Sequence, residues 1–205
     1  KQLERALAVA AMLAELPPLP RLDPSSGGHP VDRGQGDPAQ ARMLTKVRAL
    51  LAKAESTDFP DEAEVFTAKA QQLISRHSLH DLMDAATSAG GPNERALVAR
   101  RLWIEGSYVL PKAMLVAAVA RANRSKAVVS ESLGLVTIIG TAGDLDAVEL
   151  LSTSLLAQAA AAMVRVGRQS GVGGAARSSS FRRAFLTSYA DRIGERLEEA
   201  DRVAT

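Results

Sequence analysis

Residues 38–74, PAQARMLTKVRALLAKAESTDFPDEAEVFTAKAQQLI, contain two amphipathic patterns at helical spacing, separated by a short polar turn at 56–60. Asp37 is a suitable N-cap, and Pro38 suits the first helical position because its missing N–H is not needed there. The two apolar faces consist of Met43, Val47, Leu50, Leu51 and Ala54 before the turn, and of Ala63, Phe66, Ala70, Leu73 and Ile74 after it. This pattern predicts an antiparallel helical hairpin that forms a domain over residues 38–86.

Two segments of different composition precede the hairpin. Residues 1–16 place Leu3, Leu7 and Leu13 on one helical stripe, and two prolines then end the pattern. Residues 17–37 are rich in proline and glycine and contain few apolar side chains, so they cannot bury enough surface to become ordered. We therefore predict an N-terminal helix over 1–16 and a flexible linker over 17–37. The leucine stripe could bind a protein partner or a second copy of the chain.

Residues 94–205 predict a second lobe, which follows a glycine-containing break at 86–93. Apolar and β-branched runs predict strands over 96–104, 127–130 and 133–139, of which the last two form a hairpin. Periodicity predicts helices over 111–123, 144–166 and 181–203, and the middle one is apolar enough to be buried on several sides. The expected fold class is mostly helical α+β: a helical hairpin lobe, then a small lobe whose short, mainly antiparallel sheet of about three strands packs on long helices.

The hairpin resembles a known family through four stretches: KVRALLAKAE at 46–55, DEAE at 61–64, AKAQQLI at 68–74 and RHS at 76–78. Over roughly residues 40–84 it resembles a bacterial domain family of unknown function, number 2786. The stretches YVLPK at 108–112, SFRRAF at 180–185 and RIG at 192–194 look like the α+β domain that commonly follows that hairpin. The resemblance implies this architecture and brings no catalytic residue with it.

The absence of cysteine excludes disulfides, thiolate nucleophiles and zinc sites that need thiolate ligands. It fits a reducing compartment, so we expect a cytoplasmic protein. The apolar run at residues 6–16 is too short to span a bilayer, and we expect no membrane contact.

His77, His80, Asp81 and Asp84 are the residues whose chemistry and spacing suit a metal site. His77, Asp81 and Asp84 would share one helical face. However, His77 also continues the apolar face of the hairpin near a helix C-terminus, where an imidazole is favoured by the helix dipole. We therefore expect no metal and treat a metal-dependent hydrolase as the third hypothesis. His29 lies in the predicted linker without an evident partner.

Three other patterns have ordinary explanations. Residues 171–176, GVGGAA, fit a dinucleotide-binding motif by letter, but a helix rather than a strand precedes them, so we expect no cofactor. Asp144, Asp146 and Glu149 could do acid–base chemistry, but carboxylates at a helix start are fully explained by their interaction with unpaired backbone amides. Ser178, Ser179 and Ser180 could cap the last helix or hold an anion there.

Charge is distributed unevenly along the chain. Residues 1–92 contain 10 Lys or Arg against 12 Asp or Glu, whereas residues 93–205 contain 15 against 11. Between residues 160 and 190 there are five arginines and no acidic residue: Arg165, Arg168, Arg177, Arg182 and Arg183. Guanidinium groups beside a helix N-terminus can bind phosphates, although a solvated basic loop is also an explanation.

The leading hypothesis is therefore a non-enzymatic binding protein that contacts nucleic acid or an acidic partner through these arginines. The alternative is a structural or assembly subunit that acts through protein–protein contacts of its Ala- and Leu-rich helices.

Overall fold

A computed structural model describes residues 21–22, 38–87, 97–169 and 178–204. The predicted helix at 1–16, most of the predicted linker with His29, and the glycine motif at 171–176 lie outside the described residues.

The hairpin consists of helix α1, Pro38–Ser56, and helix α2, Pro60–Thr87. In the turn between them, the Thr57 hydroxyl donates to Glu62 at 2.7 Å and accepts from the Phe59 amide at 3.2 Å. Asp61 and Glu62 lie in the first turn of α2, where carboxylates are favoured by the helix dipole. The buried face consists of Leu44, Val47, Leu51 and Ala54 on α1, and of Ala63, Ala70 and Ile74 on α2. The predicted helical hairpin is confirmed.

The sheet has four strands: β1, Arg21–Leu22; β2, Val98–Ile104; β3, Lys126–Ser130; and β4, Leu135–Gly140. Their order across the sheet is β1-β2-β4-β3. β4 pairs antiparallel with β2, placing Arg101 opposite Thr137, and antiparallel with β3, placing Val128 opposite the same threonine. β1 adds a parallel pair of residues beside the end of β2, within the stretch that composition predicts as linker. The predicted mostly helical α+β class, with a short, mainly antiparallel sheet, is confirmed.

The described residues contain three further α-helices: α3, Val109–Ala122; α4, Ala142–Gln169; and α5, Ser179–Ala204. α3 starts two residues before Pro111, the start that the sequence predicts. The first turn of a helix tolerates proline, because amides there have no partner within the helix. α3 packs against the sheet and α5 packs on α3.

One continuous core connects the hairpin to the second lobe. It joins Val47 and Ile74 of the hairpin to Leu102 of the sheet, Leu151 of α4 and Ile193 of α5. The two lobes therefore share their buried surface rather than each enclosing a separate core.

Helix α4 differs from the sequence expectation in its second half. Leu145, Leu151 and Leu155 are buried, but Ala160 and Ala161 are exposed and Val164 is 50% exposed. The expectation of burial on several sides is wrong there, because the neighbouring elements cover only one face of this half.

By length and composition alone, Ala142–Val166 could cross a membrane, and 39% of its apolar stretch is buried inside the protein. Core helices pass the same test, and the expectations of no membrane contact and of a cytoplasmic location stay predictions.

Candidate anion-binding surface

The N-terminus of α5 combines a helix dipole with two arginines. The Ser178 hydroxyl accepts a hydrogen bond from the Phe181 amide at 3.1 Å, so Ser178 acts as the N-cap. Arg182 and Arg183 follow, and the first turn of α5 contains no acidic residue. Helix N-termini attract anions through unpaired amides and the positive end of the dipole. The two guanidinium groups therefore add to a positive potential that no carboxylate in this turn offsets.

The arginines of the second lobe differ in whether an acidic side chain neutralises them. Arg192 pairs with Glu195 at 3.4 Å, and Arg202 pairs with Glu199. By contrast, Arg165, Arg182 and Arg183 form no ion pair within the part of the chain that the structure describes. Arg183 is exposed, while Arg165 and Arg182 are half-buried. We call these three residues the arginine surface.

Arg165 lines a small cleft formed by the turn end of the hairpin, α4 and α5. Arg196 lies in the same cleft, where its guanidinium pairs with Glu64 of α2 at 3.0 Å and only 20% of its side chain is exposed. Burial lowers the pKa of Arg196, and the neighbouring Glu64 opposes this shift. The cleft therefore holds one neutralised guanidinium and one, Arg165, without a carboxylate partner among the described residues.

Tyr189 is the hydroxyl donor of the cleft. Burial raises the pKa of Tyr189 to about 12, with the positive charges of Arg196 and Arg165 opposing part of that shift. The phenol thus stays protonated at neutral pH and can donate a hydrogen bond to an anion.

Aromatic rings connect the cleft to the start of α5. Phe181 and Phe185 have centroids 6.2 Å apart, and Phe185 and Tyr189 have centroids 6.1 Å apart. The three rings follow one face of the helix because they are four residues apart. All three are half-buried, so an aromatic row runs along α5 from its first turn to the cleft.

The structure describes only part of the predicted basic set. The side chain of Arg168 and the whole of Arg177 lie outside the described residues. Tyr189 and Arg196 were not predicted as site residues. Nothing in the sequence indicates that α2 approaches Arg196 there.

Two members of the histidine cluster, His77 and Asp81, form a pair. His77 Nδ1 lies 3.0 Å from Asp81 Oδ1, and the His77 side chain is 12% exposed. His77 Nε2 is buried and has no hydrogen-bond partner among the residues that the structure describes. His80 is exposed, and the Asp84 side chain is not described. Over residues 38–87, 97–169 and 178–204, no group of three or more His, Asp or Glu side chains could hold a metal ion.

The acidic residues at the start of α4 form hydrogen bonds and ion pairs. The Thr141 hydroxyl donates to Asp144 at 2.8 Å and accepts from the Asp144 amide at 3.2 Å, so Thr141 acts as the N-cap of α4. Arg124 also donates to Asp144 at 2.7 Å, while Arg100 donates to Asp146 at 2.9 Å and to Glu149 at 2.7 Å. Their geometry fits helix capping and lobe packing, as the sequence indicates, but the two arginine partners were not predicted.

Comparison with known proteins supports the hairpin assignment. Residues 42–81 match the model of a family described as a protein of unknown function, DUF2786. The predicted resemblance is therefore confirmed for α1 and most of α2. No curated protein and no solved structure matches the chain. The matched range includes Glu64 of the cleft but none of the arginine surface.

Proposed function

We propose that the protein binds nucleic acid without acting as an enzyme, through the arginine surface at the start of α5 and the adjoining cleft. The observation on which this proposal rests is the lack of ion pairs at Arg165, Arg182 and Arg183 among the described residues, while Arg192, Arg196 and Arg202 are paired. A guanidinium that has no carboxylate partner can bind phosphate without first breaking an internal ion pair.

The position of the arginines supports phosphate as the ligand chemistry. Arg182 and Arg183 project from a capped helix start, where backbone amides add hydrogen-bond donors. Arg165 and the neutral Tyr189 hydroxyl would offer donors at the cleft, further along α5. The site thus extends from the start of α5 to the cleft between α5 and α4 rather than being concentrated at one point, and an extended polyanion can contact both ends of it.

The direct test measures binding of short fluorescently labelled RNA and DNA by anisotropy at low salt. We expect Arg182→Gln/Arg183→Gln to weaken binding about tenfold or more, because each substitution removes a charged donor to phosphate. The matched control is Arg192→Gln/Arg202→Gln, which removes the same charge from the same helix at positions paired internally. No binding by the wild-type protein at low salt would end the proposal, and so would an equal loss in both double variants.

A second candidate function, assembly through protein contacts, is favoured by exposed apolar side chains. Phe59 is 66% exposed, Val65 is 64% exposed and Val164 is 50% exposed. Such residues can cover a partner surface, and the predicted leucine stripe at 1–16 could contribute to the same role. Light scattering over a concentration series tests this function: a mass that rises with concentration is expected, and a monomer throughout would contradict it.

A further inference from the structure

The sheet has two chemically different faces. Leu102, Ile104, Val136 and Ile138 are at most 3% exposed and belong to the core. Because side chains alternate along a strand, their neighbours point to the opposite face. We call this opposite surface the open face. Its exposed or half-buried residues include Arg101, Trp103, Lys126, Val128, Thr137 and Ile139, while Leu135, which lies opposite Trp103, is 6% exposed.

The open face combines an aromatic ring, apolar side chains and positive charge. Trp103 is 40% exposed and Val128 is 54% exposed. Strands β2, β3 and β4 contain no aspartate or glutamate, so no carboxylate from these strands lies among the cations. Arg101 lies opposite Thr137 on the central strand, while Lys126 lies opposite Ile139.

Two adjacent arginines on β2 show how the faces differ. Arg100 points inward, is 14% exposed, and pairs with Asp146 and Glu149 of α4. Arg101 points outward and forms no ion pair within the residues that the structure describes. The charge of Arg101 is therefore available to a ligand, and the charge of Arg100 is not.

We infer that the open face binds a single-stranded segment of nucleic acid, with a base stacked on Trp103 and phosphates near Arg101 and Lys126. Stacking needs a base that is free of its partner, which a duplex does not offer, and aromatic rings among cations on a sheet suit this ligand. A neutral apolar partner would leave Arg101 and Lys126 buried without counter-charges.

This inference goes beyond the arginine surface and is independent of it. α5 packs on α3, and α3 covers the inner face of the sheet, so the two surfaces lie on opposite sides of the sheet. Either surface can therefore be disabled without the other.

Trp103 is the only tryptophan of the chain, so its fluorescence reports the open face directly. Titration of the full chain with oligo(dT) or oligo(U) at low salt should quench this emission through stacking. Duplex DNA of the same length should quench it little. In Arg101→Gln/Lys126→Gln, the quenching midpoint should move to about tenfold higher oligonucleotide concentration. Trp103→Ala should weaken anisotropy-detected binding by about tenfold, and Trp103→Phe should restore most of that loss.

The controls separate this inference from the proposed function. Arg182→Gln/Arg183→Gln should retain Trp103 quenching with an unchanged midpoint, because the arginine surface lies on the other side of the sheet. Anisotropy-detected binding without any quenching would overturn the open-face inference and leave the arginine surface intact. A blue-shifted Trp103 emission that acrylamide does not quench would also overturn the inference, since another part of the chain or a second copy would then cover the open face. Equal quenching by duplex DNA would overturn the single-strand assignment.

Discussion

Gln71 and Asn123 form a reciprocal pair of buried amides where the hairpin meets the second lobe. The Gln71 amide nitrogen donates to Asn123 Oδ1 at 3.1 Å, and the Asn123 amide nitrogen donates to Gln71 Oε1 at 3.3 Å. Asn123 also donates to the Val119 carbonyl at 2.8 Å at the end of α3. Buried amides need partners, so this pair fixes how α2 meets α3. It also gives a physical role to a glutamine in the AKAQQLI stretch of the hairpin.

We expect Gln71→Ala to lower the free energy of unfolding by about 2 to 3 kcal/mol, because it leaves Asn123 groups unpaired in the core. Urea unfolding followed by circular dichroism measures this change. Gln72→Ala is the matched control, since Gln72 is the next residue of the same helix but is only half-buried. Its cost should stay within about 0.5 kcal/mol. Equal costs would show that the amide pair contributes nothing specific.

Tyr189 gives a pH dependence at high pH. Burial raises its pKa from 10.0 to about 12. Between pH 10 and 12 the folded state keeps the phenolic proton while the unfolded state releases it. The contribution of Tyr189 to the free energy of unfolding is therefore fully present below pH 10 and is lost as the pH rises toward 12. We expect Tyr189→Phe to flatten this fall in unfolding experiments across that window. A Tyr189→Phe curve parallel to wild type would contradict the assignment.

At the scale of elements, the start of α4 is held by ion pairs from another part of the fold. Arg100 on β2 contacts Asp146 and Glu149, and Gln40 on α1 donates to Asp146 at 3.2 Å. One cluster thus joins the sheet, α4 and the hairpin. Carboxylates near a helix start are favourable by themselves, and Arg100 adds a contact between elements.

We expect Arg100→Leu to destabilise the protein by about 3 kcal/mol, because it leaves two partly buried carboxylates without their cation. Arg101→Leu is the matched control: it is the neighbouring residue on the same strand, but it points to the open face. It should change the free energy of unfolding by less than about 0.5 kcal/mol. Thermal unfolding of both variants measures the difference, and similar shifts would argue against the ion-pair cluster.

The elements themselves follow from local patterns, and their exceptions have physical causes. Periodicity predicts all five described helices and strands β2 to β4. β1 has only two residues, too few for any pattern, and it exists through pairing with Trp103 and Ile104. The exposure of Val164 depends on which elements reach the end of α4, which is a tertiary property.

At the scale of the whole molecule, the hairpin and the second lobe share one core. Leu51 of α1 and Ile138 of β4 belong to the same buried cluster. A shared core predicts cooperative unfolding of both parts. The docking that creates this core could not be predicted from local patterns. Gln71 and Asn123 find their hydrogen-bond partners, and the core leucines their packing partners, in residues distant in the sequence.

We expect a single unfolding transition, with Trp103 emission reporting the sheet and circular dichroism reporting the helices at coincident midpoints. Leu51→Ala, a change in the hairpin alone, should shift both midpoints together and cost about 2 to 5 kcal/mol. Two separated transitions would show that the lobes fold independently.

The candidate site was predicted in part. A run of arginines without acids is visible in the sequence and indicated Arg165, Arg182 and Arg183. The cleft was not predictable, because Glu64 and Arg196 meet only when α2 packs against α5. Strand alternation predicts that Arg100 and Arg101 point to opposite faces of the sheet. Only the packing of α4 shows that Arg100 is the one whose charge is neutralised, by Asp146 and Glu149.

The most direct test of the central claim is the salt dependence of nucleic-acid binding for the wild-type chain and both double variants. Phosphate contacts release counterions, so log K should fall linearly with log[salt], by about 0.7 per contact for single strands. For Arg182→Gln/Arg183→Gln we expect a slope shallower by about 1.4, and for Arg192→Gln/Arg202→Gln an unchanged slope. A wild-type slope near zero, or an equal change in both variants, would contradict binding through the arginine surface.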